Sequence, residues 1–484
     1  MSTIAPLPMF VGGQWIDTST VRPVLDPGTG RPFAHVFEGD EGHVTAAVTA
    51  ARSAFDDGPW PDSSVAERAG LLRRVADDLA ARNRELIDLD CRNVGTPIAQ
   101  GLEMMGLVPD VFRYYADLIE TREREGPESI GRDGTTVERE AVGVVVAIAP
   151  WNYPLWQAAG KVAAAIAAGC TVVLKPSSLT PLSAYELAIA FDRAGAPRGV
   201  LNVVFGPGST LGAALALDPR VDKISFTGGT ESGIEVGRSA FAGGIRRLAL
   251  ELGGKSPNIV FGDADMDAAV AGALSGIFEN QGEVCSAGSR LLLQRPIRDA
   301  FIDRLLALTR DLTIGYQMDP ATRIGPLVAA DHAERVLAHV AQGVAEGATL
   351  LIGGRQASVP GYEGGFYVEP TIFSDVDPAM SIAREEIFGP VLAIQVFDDE
   401  AEAIKLANDT VYGLAAGVWS RDEARIRRVS SAVRAGVVFV NSYHSAGLDV
   451  PWGGFGQSGI GRELGTPGLD SFTELKSVVR VPAG

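Results

Sequence analysis

The chain has 484 residues, 46% hydrophobic and 21% charged, which is long for one core and apolar enough to fill two or three. Lys and Arg total 42 against 60 Asp and Glu, and the net charge of −18 excludes a general nucleic-acid or anionic-membrane surface, though local basic pockets remain open. Three cysteines cannot all pair with one another, and the first ten residues hold neither a basic stretch nor an unbroken apolar run. The expectation is a reduced, cytoplasmic protein without a secretory signal. The Ala-rich stretch 158–174 contains Lys161 and two glycines and falls short of a membrane span.

In chain order, 10–15 reads as a strand and 66–90 as helix, with Leu71, Val75, Leu79 and Leu86 recurring near helical spacing. Beyond residue 142 the pattern changes. Apolar runs at 142–149, 170–174, 200–205, 223–226 and 247–250 read as buried strands, separated by helical segments of about ten to fifteen residues. That rhythm predicts a parallel sheet covered by helices on both faces. After Gly253 a second α/β series follows: a helix over 265–279, a strand over 289–293, a helix over 299–311, strands over 391–397 and 437–440, and helices over 401–408 and 422–433. The stretch 472–481 alternates like a strand exposed on one side, and 119–142 is charged and then strand-like; exposed edges find partners.

Cys285 stands apart from the other two cysteines. Cys91 and Cys170 lie in apolar helix-like and strand-like text and read as packing. Cys285 lies in Gln281-Gly-Glu-Val-Cys-Ser-Ala-Gly-Ser-Arg290, where small residues crowd it and allow close approach of a substrate or of the chain itself. Two glycine-rich turns follow strands and are candidates for dinucleotide binding. Gly206-Pro-Gly208-Ser-Thr-Leu-Gly212 misses the Gly-x-Gly-x-x-Gly spacing by one residue, whereas Gly228-Gly229-Thr-Glu-Ser-Gly233 opens a helix whose N–H groups suit a pyrophosphate. On spacing alone, either turn is as readily an ordinary strand-to-helix connection. Five histidines are scattered; His332 and His339 share a helix face at i, i+7 and read as solvated surface, so no metal is inferred.

Seven ordered motifs resemble the aldehyde dehydrogenases: Pro150-Trp-Asn-Tyr-Pro154, Lys175-Pro-Ser, Phe226-Thr-Gly-Gly, Glu251-Leu-Gly-Gly-Lys-Ser-Pro257, the Cys285 decapeptide, Glu385-Glu-Ile-Phe-Gly-Pro390 and Gly459-Ile-Gly-Arg-Glu-Leu-Gly465. The resemblance covers nearly the whole chain. It implies an α/β architecture with a Rossmann-like parallel-sheet cofactor domain (1–122 and 142–253), a second α/β catalytic domain (254–457) and a small β oligomerisation arm (123–141 and 470–484). It implies a homodimer or homotetramer, NAD or NADP as cofactor, and an aldehyde as substrate.

By the same resemblance Cys285 matches the nucleophile, Asn152 the oxyanion donor and Glu251 the general base, while Lys161 and Glu463 match positions that relay protons or order the site. Members that pass the acyl group to coenzyme A usually lack the glutamate, so water is the expected acceptor. Lys175 matches the adenosine-ribose lysine, Phe226 the strand end before the phosphate turn, and Glu386 with Phe388 the pair at the nicotinamide ribose and ring. Two positions depart from the pattern. Ser178 replaces a glutamate that would repel a 2′-phosphate by about 1–4 kcal/mol at an effective dielectric of about 20, so NADP acceptance is expected, although no arginine stands beside the 206–212 turn. Gly160 replaces a large aromatic residue, and with Trp156, Trp452 and Phe455 it suggests a bulky or aromatic aldehyde; the alternative is a betaine-aldehyde or aminoaldehyde substrate held by cation–π contact. Remoter alternatives are a thioester or ester hydrolase and an inactive homologue serving as a binding protein.

Overall fold

The computed structural model describes residues 5–126, 128–130 and 135–480. Five parallel strands form the centre of an eight-stranded sheet, in the spatial order Arg247–Glu251, Lys223–Thr227, Val144–Ile148, Thr171–Lys175, Leu201–Val203. Every residue of Val144–Ile148 and Thr171–Lys175 is buried. Successive side chains point to opposite faces, so both faces are covered, which is why these strands read as unbroken Val and Ile runs. The order reverses between Val144–Ile148 and Lys223–Thr227, and such a switch point opens a crevice at the carboxyl ends of the strands. Asn152 and Gly228 follow those ends, and Glu251 is itself a strand end.

The expected strand at 10–15 is a hairpin instead: Met9–Val11 pairs antiparallel with Gln14–Ile16 through Gly12 and Gly13, both at positive φ. The expected helix at 66–90 is two, Val65–Ala81 and Asn83–Val94, parted at the non-helical Arg82. Leu71, Val75, Leu79 and Leu86 are all buried across that break, so their spacing conceals it.

The second sheet has seven strands in the order Thr349–Ile352, Thr371–Ser374, Val391–Phe397, Arg290–Gln294, Pro257–Val260, Ala415–Trp419, Val437–Val440, parallel except for the first pair. A third sheet pairs Thr473–Val478 with Thr135–Ala141, and the latter with Glu128–Ile130. Residues 127, 131–134 and 481–484 of the expected arm lie outside the described residues. Among the described residues no helix is long and apolar enough to cross a membrane, and no group of three or more His, Cys, Asp or Glu side chains is placed to hold a metal ion.

Candidate active site

Three segments converge. Asn152 leads into the helix Pro154–Ala168, Glu251 ends its strand, and Cys285 lies between the helix Met266–Phe278 and the strand Arg290–Gln294. Glycines make the approach possible. A Cβ at Gly254 would overlap the Cys285 carbonyl oxygen, and one at Gly253 the Glu386 carboxylate, which instead accepts the Gly254 N–H at 3.0 Å. Gly453, at φ +150°, lets its backbone lie against Glu251: a Cβ there would sit 2.6 Å from Oε1.

Asn152 is held by its side chain and by its backbone carbonyl. Its Nδ2 donates to the Glu283 carbonyl at 2.8 Å, which commits one N–H and leaves the second for an oxygen in the site. Asn280, fully buried, donates from Nδ2 to the Asn152 carbonyl at 3.2 Å, while its Oδ1 accepts from Thr96 Oγ1 at 2.6 Å and its backbone N–H donates to Gln100 Oε1 at 2.8 Å. These bonds hold Asn280 at φ +45°, a left-handed conformation uncommon outside glycine. The sequence reading missed Asn280. Its only signal is its place immediately before the Cys285 decapeptide.

Glu251 is 4% exposed, and among the described residues neither carboxylate oxygen has a hydrogen-bond partner. Burial raises its pKa well above the carboxylate range and the Glu463 charge adds to the rise, against Lys161 and Arg462. The half-buried Cys285 thiol is pushed up to about 12, first by burial and then by the Glu251 and Glu386 carboxylates. A thiol in that environment keeps its proton at neutral pH until a base takes it. Beside Glu251, the buried Lys161 ammonium pairs with Glu463 and donates to Thr227 Oγ1 at 2.6 Å and Ser225 Oγ at 3.2 Å. Thr227 is the cross-strand partner of Glu251, which sets the ion pair under the carboxylate.

On the dinucleotide side, Lys175 is buried and its ammonium pKa falls to about 8 through burial, opposed by Glu38. Ser178 Oγ donates to the Gly206 carbonyl at 2.9 Å. One small depression is lined by Ser178, Gly206, Phe205, Arg22 and Glu38. An arginine therefore does stand beside this turn, contrary to expectation: Arg22 arrives from the distant strand Thr20–Asp26 and pairs with Glu38. Gly208 to Gly212 forms a wide helical turn, and the helix Thr230–Ala242 starts at Gly229 with no side chain capping it. Added Cβ atoms at Gly208 and Gly229 would meet open space, and one at Gly212 would touch the Lys175 stem at 3.8 Å. Gly228 and Gly233 serve packing, since added Cβ atoms would press on the Phe226 ring and on Leu252.

Burial raises Glu386 to about 7. Phe388 adopts φ +57° with its ring edge-on to Trp151 at 5.1 Å. Its carbonyl accepts from His332 Nε2 at 2.7 Å. His332 is therefore not solvated surface: it is 5% exposed, and burial lowers its pKa to about 4. Helical spacing puts it on the expected face but cannot show that this face packs against the Phe388 loop.

Trp156 and Gly160 share the helix Pro154–Ala168. Trp156 is half-buried between the large cofactor-side core and the cluster holding Tyr153, Phe278 and Val284. A Cβ at Gly160 would meet only Leu464, at 3.8 Å. Trp452 packs on the Ala415, Val437, Phe439 and Tyr443 cluster and bridges its backbone to Glu463. Phe455 joins none of these clusters; it is 44% exposed, with its ring under the Arg462 guanidinium at 5.3 Å.

Comparison with known proteins agrees with the motifs. The model of the aldehyde dehydrogenase family matches residues 15–478. The chain is 42% identical to a betaine aldehyde dehydrogenase of Bacillus subtilis over 478 residues, covering 98% of this chain and 97% of that protein. Among solved structures it superposes on an NAD-dependent aldehyde dehydrogenase from Sinorhizobium meliloti with a TM-score of 0.95, at 42% identity, covering 98% of this chain and 95% of the other. An NAD+ complex of an aldehyde dehydrogenase from Bacillus cereus gives a TM-score of 0.94 at 40% identity, covering 98% and 96%.

Proposed function

Because the chain belongs to the aldehyde dehydrogenase family, we propose that it oxidises an aldehyde to a carboxylic acid through a covalent acyl intermediate on Cys285, with a nicotinamide dinucleotide as cofactor. The observation that carries this reading is Glu251, a buried carboxylate with both oxygens unpartnered in the electrostatic reach of the Cys285 thiol. Such a group is costly to the fold and is found where chemistry uses it.

The residues fit the cofactor. The uncapped start of Thr230–Ala242 and the open space at Gly208 and Gly229 suit a pyrophosphate, the buried Lys175 suits a ribose, and Glu386 with Phe388 suits the nicotinamide end. Held by these residues, a nicotinamide would supply the hydride acceptor. Cys285 gives its proton to Glu251 and its sulfur bonds to the aldehyde carbon. The oxygen left negative is met by the second N–H of Asn152 and the backbone N–H of Cys285, donors fixed before the charge develops. Loss of hydride from that carbon leaves a thioester on Cys285. Once that first proton has left past Lys161 and Glu463, Glu251 takes a proton from the attacking water, the carbon–sulfur bond breaks, the proton passes to the sulfur, and acid and thiol are released. Lys161 and Glu463 act as a buried charge pair that orients Glu251 and offers its proton an exit.

Either dinucleotide is expected to serve. Ser178 removes the carboxylate that would repel a 2′-phosphate, Arg22 adds a cation, and Glu38 offsets that cation. The kcat/KM values for NAD and NADP should lie within a hundredfold of each other; an NAD preference above a hundredfold contradicts this use of Ser178.

The space at Gly160 favours a bulky or aromatic aldehyde. Gly160→Trp should lower kcat/KM for benzaldehyde at least about tenfold, the scale of one lost pocket contact, while leaving acetaldehyde within threefold. The helix itself should tolerate the change, because glycine is the poorer helix former. Equal loss on both aldehydes would remove the pocket role. The name of the Bacillus subtilis relative favours a cationic aldehyde as the second reading. Leu475 on the arm sheet is 62% exposed and Val479, just beyond it, 72%, which supports a homodimer or homotetramer, and three unpaired cysteines support a reducing, cytoplasmic setting.

A further inference from the structure

The two histidines spaced i, i+7 lie on the helix Ala330–Ala345, and both meet the segment that carries Glu386 and Phe388. His339 Nδ1 stands 3.7 Å from Glu385 Oε2, near the surface. His332 is held more tightly. A carbonyl only accepts, so the 2.7 Å contact with the Phe388 oxygen puts an imidazole proton on Nε2. The Arg335 guanidinium, 3.3 Å from Nδ1, only donates and so meets a lone pair there. These contacts fix one neutral tautomer, in agreement with the burial that keeps the ring uncharged. The bond from Nε2 holds Phe388 at φ +57°, a conformation that a bulky residue keeps only where its surroundings impose it.

The same helix is tied to the Cys285 loop. Glu283, two residues before the cysteine, is fully buried, and its Oε1 lies 3.6 Å from His332 Nε2. That oxygen accepts the Val328 N–H at 3.0 Å, just ahead of a helix start that no side chain caps. Burial raises the Glu283 pKa well above the carboxylate range, so it supplies an acceptor oxygen more than a charge. Its backbone carbonyl meanwhile accepts from Asn152. The backbones of the two loops also touch: a Cβ at Gly282 would sit 2.2 Å from the Gly389 oxygen, and one at Gly389 would sit 2.7 Å from Val336 on the helix. Trp151 closes the ring of contacts, edge-on to His332 at 5.3 Å and to Phe388 at 5.1 Å. Glu283 thus fixes the oxyanion donor with its backbone and, through the helix and His332, the Phe388 loop with its side chain.

We propose that Glu283 and His332 are positioning residues that hold the Phe388 loop in register with the carbon bonded to Cys285, so that altering them slows hydride transfer more than acyl transfer. This rests on the aldehyde-oxidising reading above and adds two residues to it. Hydride transfer needs groups held by different segments to meet, whereas Cys285, Asn152 and Glu251 suffice for acyl transfer to water.

Two activities are to be compared on the same samples of wild type, His332→Leu, His332→Gln, Glu283→Leu and Glu283→Gln. One is reduced-cofactor production from whichever of benzaldehyde and acetaldehyde turns over faster. The other is hydrolysis of p-nitrophenyl acetate without cofactor, which needs no hydride acceptor. Both leucine variants should lose dehydrogenation at least about tenfold more than hydrolysis, the scale of a small displacement of reacting groups. Deuterium on the aldehyde carbon should slow them more than it slows the wild type. Both glutamine variants should recover most of the difference, because an amide can still donate to the Phe388 carbonyl or accept from Val328. The hydrolysis rate of each sample divides out misfolded protein. Loss of both activities in proportion, an unchanged isotope effect in the leucine variants, or no recovery in the glutamine variants overturns the positioning role and leaves the aldehyde-oxidising reading intact. A wild type that hydrolyses the ester but oxidises neither aldehyde defeats that reading, and this inference with it.

Discussion

Cys285→Ala should lose reduced-cofactor production by at least about a thousandfold, because every later step passes through the bond that its sulfur makes. The substitution removes one sulfur from a half-buried position among small residues, so thermal stability should stay close to wild type. The other two thiols cannot substitute. Cys91 is 1% exposed and Cys170 is fully buried, and burial raises both pKa values further from the thiolate. Cys91→Ala and Cys170→Ala should therefore alter stability rather than the rate of the folded enzyme. Retention of more than a tenth of wild-type turnover in Cys285→Ala would exclude it as nucleophile.

Glu251→Gln should separate the two halves of the reaction. If water activation is its main task, the first turnover should appear as a burst of reduced cofactor approaching one per active site, followed by steady turnover slowed about 10²- to 10⁴-fold, the usual contribution of a general base. Equal loss of burst and steady rate would instead place Glu251 in thiol activation. The pH profile carries the same information with a definite sign. A base works deprotonated, and burial with the Glu463 charge raises the Glu251 pKa, so wild-type deacylation should accelerate as pH rises through that elevated value. Glutamine cannot titrate, and the acceleration should vanish.

Much of the molecule is legible in its sequence because strands such as Val144–Ile148 and Thr171–Lys175 are buried on both sides and hence mostly apolar. Strands such as Ala415–Trp419, rich in Ala and Gly, and Pro257–Val260, opened by proline, carry little β signal and gain their conformation from the sheet around them. The same division holds at the site. Cys285, Glu251 and Asn152 can be singled out because motif context surrounds them. Asn280, His332 and Arg22 owe their places to contacts between segments far apart in the chain, and no local pattern marks them. Phe455 shows the converse, since an aromatic residue near a motif carries no information on where its ring points.

The most direct test of covalent chemistry at Cys285 is intact-protein and peptide mass spectrometry of Glu251→Gln quenched during turnover. The predicted result is a protein heavier by the aldehyde less a hydride and a proton, with the added mass on the peptide spanning Gln281 to Arg290 and absent from Cys285→Ala. A burst without any adduct, or an adduct mapped to Cys91 or Cys170, would contradict it.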